Sequence, residues 1–305
     1  MAESTSKWKT LCILGCGNLG TALLKSIVSG YENGTYAPLP FRHIIACVRS
    51  EASGNRLYAQ FAHLAMGAGK PTVHSGIGAG PPAAQMADVV ILGVDPADVE
   101  ALLAEDGMRG ALAGKLVISV AAGWTRQQLE RALHQDASPK PWVIRALPNV
   151  AASVGQSITA VEEPSVECPA ECRALAESIF ARVGKTVVIA PRLMDAFTAV
   201  GGSTPAFFAV ICDALIDAAV AVGVPRVQAR TIIYQSMAGT AALLQSGVHP
   251  GVLKDEGTSP EGCTIGGLMV LEEGAVRGHL GRGLREAVTI ARLMGSSAHV
   301  NDTRH

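Results

Sequence analysis

The stretch TLCILGCGNLGTALLKSIVSG, residues 10–30, decides the fold. Thr10–Leu14 is an apolar, β-rich run, and the residues after Gly20 carry helical periodicity. Between them stands Gly15-Cys16-Gly17-Asn18-Leu19-Gly20, a G-x-G-x-x-G in the strand–turn–helix context that gives the pattern meaning. The first glycine permits the tight turn. The second lets backbone approach a pyrophosphate, and the third lets helix pack on strand. The helix start then offers amide N–H groups to phosphate.

Working outward, further apolar runs recur as HIIACV (43–48), TVHS (72–75), ADVVILGV (87–94), KLVISVAA (115–122), PWVIRALP (141–148) and KTVVIA (185–190). Helical stretches are expected near 55–66, 96–103 and 125–133, and 67–84 reads as loop apart from TVHS. Continuous apolar strands alternating with helices predict an α/β fold, a Rossmann-type doubly wound parallel sheet. After 190 no β-rich run appears, and Ala-rich helical periodicity holds from Arg192 to Met294. The expected domains are therefore 1–190, binding the dinucleotide, and 191–305, all-helical.

The chain has 305 residues and a net charge of -1, so no strong field draws it to nucleic acid or an anionic membrane. With 49% hydrophobic and 17% charged residues, a large core can form. The polar start MAESTSKWKT leads straight into the first strand and does not read as a signal peptide. The longest apolar stretch, from Pro205 to Val224, carries Asp213 and Asp217. Two carboxylates are costly in lipid, so it reads as a buried or subunit-interface helix and not a membrane span. Their i,i+4 spacing could make an acid/base pair, but the apolar surroundings favour structural carboxylates. Seven scattered cysteines without a leader suggest reduced thiols and a cytoplasmic protein. Neither they nor the eight dispersed histidines show metal-ligand spacing, so no metal site is expected.

The second strand ends in Val48-Arg49-Ser50, with Glu51 one step later. A cation and a hydroxyl there suit a ribose 2′-phosphate and favour NADPH, with NADH possible. The less favoured reading makes Arg49 a solvated loop residue. In the second half, Lys254–Ile265 brings hydroxyls and glycines before a helical pattern. A carboxylate ligand would find hydroxyls and helix N-terminal donors there, while a helix capped by Ser259 or Thr264 explains the same residues structurally. Lys254-Asp255 reads as a loop-fixing pair.

Six segments together resemble the pyrroline-5-carboxylate reductase family across nearly the whole chain. They are GCGNLG, SVAAGWT from Ser119, RALPNVAASVGQS from Arg145, RLMDAFTAVGGSTPAFF from Arg192, VHPGVLKDEGTSPEGCTIGGL from Val248, and LEEGAVRG from Leu271. The resemblance implies a Rossmann domain followed by a helical domain that forms an intertwined homodimer, often assembled further. It implies reduction of the cyclic imine 1-pyrroline-5-carboxylate to L-proline with NAD(P)H. On that basis Ser259, Gly262, Cys263 and Thr264 hold the substrate carboxylate, Thr198 lies near the ring nitrogen, and Thr264 is the proton-donor candidate beside water. Val94, Pro96, Ala121, Ala122, Gly123 and Asn149 join Gly15, Gly17, Asn18, Leu19, Gly20, Arg49 and Ser50 on the cofactor side. An imine accepts hydride as its iminium and makes little demand for a strong acid, whereas alcohol oxidation needs a positioned base. The RLMDAFTAVGGSTPAF stretch offers neither Lys nor His.

The departures from the family pattern gather near the substrate. The family's S/T-G-S-G-P-A-Y stands here as Gly201-Gly202-Ser203-Thr204-Pro205-Ala206-Phe207, and S-P-G-G-T/A-T as Ser259-Pro260-Glu261-Gly262-Cys263-Thr264. Asp95 replaces the lysine of V-K-P, and Pro148-Asn149-Val150-Ala151 replaces P-N-T-P. Glu261 would repel a substrate carboxylate unless it points to solvent. Tolerated drift, a paralogue acting on a substituted pyrroline carboxylate, and a non-catalytic NADPH-binding protein are the three readings these departures allow.

Overall fold

The computed structural model describes residues 8–33, 39–64, 70–134 and 138–294. An eight-stranded sheet organises the first part of the chain. Its strands are β1 (Thr10–Leu14), β2 (His43–Val48), β3 (Thr72–Ser75), β4 (Val89–Leu92), β5 (Leu116–Ser119), β6 (Trp142–Leu147), β7 (Ser157–Glu162) and β8 (Gly184–Ile189), in the order β3-β2-β1-β4-β5-β6-β7-β8. The helices among them are α1 (Asn18–Asn33), α2 (Glu51–Gln60), α3 (Gly80–Gln85), α4 (Val99–Leu103), α5 (Met108–Leu112), α6 (Arg126–His134) and α7 (Ala170–Phe180). Then come α8 (Met194–Val200), α9 (Thr204–Ala221), α10 (Arg226–Gln245), α11 (Pro250–Glu256), α12 (Cys263–Glu273) and α13 (Val276–Leu293).

The strands are continuous apolar runs because both faces are covered. Along β1, Leu11 and Ile13 enter one core while Cys12 and Leu14 enter the other, the two-residue period of a pleated strand. Neighbours from β3 to β6 pair parallel. The sheet then departs from the all-parallel expectation, since β7 runs antiparallel to β6 and parallel to β8. The link from β6 to β7 is a single 3-10 turn, Val150–Val154, closed by Gly155 at φ 70. So short a connection can join only antiparallel neighbours.

β7 is the strand the apolar pattern does not announce, because it ends in a carboxylate. Glu162 is buried, and its Oε2 accepts from Arg145 on β6 at 3.0 Å while its Oε1 lies 3.2 Å from Arg126 Nε. The expected loop at 67–84 also contains α3, whose Gly80-Pro81-Pro82 start reads as loop but suits a first helical turn, where proline N–H groups are not needed. α2 begins at Glu51, four residues before the expected start, because Ser50 caps it by accepting from Ser53 N. Residues 65 and 66 of that expected helix lie outside the described residues.

Contacts divide the chain into two compact units: the described residues to Gly202 with those from Val288 on, and Ser203–Ala287. Composition changes at 190, whereas the division by contacts comes later, because Met194 of α8 is buried against Leu147 and Ala160 of the sheet, with Phe197 packed alongside. In the second unit α9 packs on α10 and buries Cys212, Ile216 and Ala229. Phe208, Val210, Ile232 and Leu271 remain more than half exposed in the single chain. The stretch Pro191–Ala221 is long and apolar enough to cross a membrane by length and composition alone. Both of its mid-helix carboxylates face solvent, and Asp217 pairs with Arg226 at 2.7 Å.

Candidate functional site: the glycine loop and the α12 N-terminus

At the carboxyl end of β1 the strand order reverses, with β2 on one side and β4 on the other. That is where an open α/β sheet leaves a crevice. The glycines lie at its mouth for separable reasons. Gly15 has φ +93, and a Cβ there would stand 2.6 Å from Val94 N. A Cβ on Gly20 would stand 2.3 Å from the Gly15 carbonyl, so only glycine lets α1 close on the turn. A Cβ on Gly17 would meet nothing within 4 Å. The space before Gly17 is open, as backbone approach by a pyrophosphate requires.

Two cavities meet at this loop, one of about 510 Å³ and one of about 710 Å³, and Cys16, Gly17, Ser53 and Arg56 line both. The first takes in Gly15, Val94, Arg49 and Ser50; the second takes in Asn18, Leu19 and Asn149. Gly20, Pro96, Ala121, Ala122 and Gly123 line neither. Pro96 is held through its carbonyl by Trp124 Nε1 at 2.9 Å, Ala121 is buried, and Gly123 lies against Met294. Asn149 ties the end of β6 to α8: its Nδ2 donates to Gly201 O at 2.8 Å and its Oδ1 accepts from Ala151 N.

The end of β2 carries more positive charge than the strand pattern revealed. Arg49 is 79% exposed and only loosely held by Asp98, at 3.4 Å. Arg56, seven residues on and within α2, donates to Ser53 Oγ at 2.8 Å. Arg49, Ser50, Ser53, Arg56 and the start of α2 thus form a cationic, hydroxyl-rich rim. Arg56 is the residue sequence reasoning missed. The available signal was the Ser50 cap, which fixes the register of α2 and turns Arg56 to the same cavity. Asp95 faces solvent and caps the turn after β4 by accepting from Ala97 N at 3.0 Å. Burial pushes the Cys16 thiol up to about 12, with Cys47 adding to the rise. Burial also pushes Cys47 up to about 11, helped by the Glu105 carboxylate. Both remain protonated, poor nucleophiles at neutral pH. All seven cysteines are free, and among the described residues no three His, Cys, Asp or Glu side chains gather to hold a metal.

The second unit carries the hydroxyl loop. Gly262 is the N-cap of α12, so Cys263 and Thr264 open the helix and their N–H groups have no partner within it. Ser259 precedes the cap, and a Cβ on Gly262 would fall 2.5 Å from Ser259 Oγ. The Gly262 N–H donates to Ser259 O at 3.0 Å, closing a tight loop. Ser259, Cys263 and Thr264 are exposed. Glu261 is exposed too and takes φ 59, the left-handed region that glycine adopts without strain. Asp255 pairs with Lys254 and its carbonyl accepts from Thr258, which fixes the approach to the loop. In the first unit, Thr198 on α8 is half-buried and donates to Met194 O at 3.1 Å. Gly201 follows from packing: a Cβ there would stand 2.5 Å from the Phe197 ring.

The chain resembles known proteins along nearly its whole length. Residues 191–294 fit a model described as pyrroline-5-carboxylate reductase dimerisation, and 10–123 one described as NADP oxidoreductase, coenzyme F420-dependent. A pyrroline-5-carboxylate reductase of Lophium arboricola is 40% identical, covering 97% of this chain and 96% of its own length. One from Neurospora crassa is 37% identical over the same shares. The solved pyrroline-5-carboxylate reductase of Coxiella burnetii superposes with TM-score 0.78 at 25% identity, covering 96% of this chain and all of that one. With full-length relatives at this identity, the chain belongs to the pyrroline-5-carboxylate reductase family.

Proposed function

We propose that the chain reduces 1-pyrroline-5-carboxylate to L-proline with NADPH, as a cytoplasmic homodimer. The observation that carries this reading is full-length likeness, at up to 40% identity, to proteins named for that reaction. The glycine loop supports it from the cofactor side. The open face of Gly17 suits a pyrophosphate, and Arg49, Ser50, Ser53 and Arg56 suit a ribose 2′-phosphate. Val94, Pro96, Ala121, Ala122, Gly123 and Asn149 are assigned to the cofactor by family resemblance.

When bound, NADPH supplies the hydride to the imine carbon. The protein's part is to bind and orient. The start of α12 offers the Cys263 and Thr264 N–H groups and the positive end of a helix dipole to the substrate carboxylate, with the Ser259 hydroxyl beside them. The Thr264 hydroxyl is assigned to the proton that joins the ring nitrogen, and Thr198 to the ring. The iminium already carries that proton when it accepts hydride, so a hydroxyl or a water suffices. The exposed apolar side chains of α9, α10 and α12, among them Phe208, Val210, Ile232 and Leu271, supply the surface a homodimer would bury.

The test is loss of absorbance at 340 nm with purified protein, NADPH and 1-pyrroline-5-carboxylate, with NADH alongside. Rapid oxidation of NADPH with formation of proline is expected. Bound NADPH without turnover would refute the reading, and faster turnover of a ring-substituted pyrroline carboxylate would move it to that substrate.

A further inference from the structure

Helix α8, which carries Thr198, is held at both ends by the end of β6. At its start Met194 is buried against Leu147, and at its far end the Gly201 carbonyl accepts from Asn149 Nδ2 at 2.8 Å. Gly201 is the buried C-cap of α8, so its carbonyl has no partner within the helix and needs a donor from elsewhere. The Asn149 amide fits only one way round. Asn149 caps the turn Val150–Val154, and its Oδ1 accepts from Ala151 N at 3.1 Å, which leaves Nδ2 to face Gly201. Its backbone is fixed too, since the Asn149 N–H donates to Ser157 Oγ of β7 at 3.0 Å. Beyond the amide the chain is tight. A Cβ on Gly202 would stand 2.4 Å from the Thr198 carbonyl, and the Thr198 hydroxyl is turned back on Met194 O. Residues 198–202 therefore form one close turn, with Asn149 as its polar tie to the sheet.

Asn149 and Gly202 also line the second cavity, together with Cys16, Gly17 and Asn18 of the glycine loop. The tie thus stands where that cavity meets the end of α8. Both polar atoms of the Asn149 side chain are engaged within the chain. Resting on the proposed reaction above, we infer that Asn149 is a positioning residue: its amide latches Gly201 and so fixes where Thr198 stands for the substrate ring. Its contribution reaches the reaction through α8 and falls on turnover, not on NADPH affinity. Capping the turn needs only the Oδ1 acceptor, whereas the latch needs the Nδ2 donor. Aspartate separates the two, because it caps equally well and donates nothing.

The experiment compares steady-state kinetics and NADPH titrations of wild type, Asn149→Asp, Asn149→Ala, Thr198→Ala and the double variant Asn149→Asp/Thr198→Ala. Melting temperatures show which variants fold, and Asn149→Asp, which keeps the cap for Ala151, carries the test if Asn149→Ala does not. In both Asn149 variants kcat should fall about tenfold or more, since a misplacement of about 1 Å can cost about 100-fold. Asn149→Ala, which adds no charge beside the glycine loop, should bind NADPH within about threefold of wild type, less than one lost hydrogen bond to a charged group would cost. The losses should not multiply. On the Thr198→Ala background Asn149→Asp should cost less than about threefold, because the residue it positions is gone. Full kcat in Asn149→Asp would reduce Asn149 to a turn cap. Weakened NADPH binding with full kcat in Asn149→Ala would make it a cofactor ligand. Multiplicative losses in the double variant, or full kcat in Thr198→Ala, would break the link to Thr198. Each of these overturns the inference and leaves the proposed reaction intact, whereas wild-type protein that forms no proline would overturn both.

Discussion

Glu261→Gly separates backbone strain from charge at the start of α12. At φ 59 a residue with a Cβ costs about 1–2 kcal/mol relative to the right-handed region, a cost glycine does not have. Glycine gives back about 0.5–1 kcal/mol through its looser unfolded chain. The variant also loses a carboxylate near a helix N-terminus, worth about 0.3–1 kcal/mol when exposed. These terms nearly cancel, so stability should change by less than about 1 kcal/mol. Substrate binding carries no such cancellation. Only Gly262 stands between Glu261 and Cys263, so their backbones lie at most about 7 Å apart. Two like charges that far apart in water repel by about 0.6 kcal/mol, which is about threefold in affinity. Steady-state kinetics should show KM for 1-pyrroline-5-carboxylate falling about threefold with kcat unchanged, and the difference fading at high salt as screening shortens its range. Glu261→Gln is the control, because it removes the charge and keeps the strained backbone. Equal KM values in wild type, Glu261→Gly and Glu261→Gln would refute the electrostatic argument. A change in Glu261→Gly alone would place the effect in the backbone.

Four other perturbations have definite outcomes. Arg56→Ala should weaken NADPH binding by about tenfold, the scale of one charge-assisted hydrogen bond, and leave NADH binding nearly unchanged in parallel titrations. Glu162→Gln leaves the buried Arg145 and half-buried Arg126 guanidinium groups without their anion, so urea unfolding should show a loss of about 3–5 kcal/mol. Gly262→Ala should push Ser259 Oγ out of place and raise KM for the imine substrate several-fold with cofactor affinity intact, measured by kinetics and NADPH titration. The Cys16 thiol, about 12 when folded against 9.0 as a free thiol, keeps its proton in the fold while the unfolded chain loses it. Its contribution is therefore whole below pH 9 and falls by about 4 kcal/mol as pH rises to 12, so denaturation of Cys16→Ala should depend less steeply on alkaline pH than that of wild type.

How far the fold was legible follows from what each strand is made of. β4 is wholly apolar, and β1 and β5 are apolar but for Thr10 and Ser119 at their ends, because both faces are buried, and such runs declare themselves in sequence. β7 does not, because Glu162 at its end looks like a surface residue until Arg145 and Arg126 are found beside it in space. An ion pair between neighbouring strands is a long-range fact, and no local pattern encodes it. With β7 unread, the short antiparallel turn at Val150–Val154 had no second strand to join. α3 was missed through the opposite error, since Gly80-Pro81-Pro82 signals a break locally but starts a helix when it stands at the first turn.

The site divides along the same line. Glycines at close approaches in the G-x-G-x-x-G loop were legible, because their need for absent side chains is written in single positions: Gly15 and Gly20 each meet a neighbour that a Cβ would strike. Arg56 required the register of α2, which depends on one cap at Ser50. The departures sort in the same way. Gly201 is glycine because Phe197 occupies the space above it, and Asp95 is exposed because it caps a turn, so both have local structural causes. Glu261 has none, since its left-handed backbone favours glycine and its charge stands near the helix start assigned to an anion. A residue that opposes both its backbone and its assigned ligand is where substrate preference would be set, which is why charge at 261 is the variable to change first.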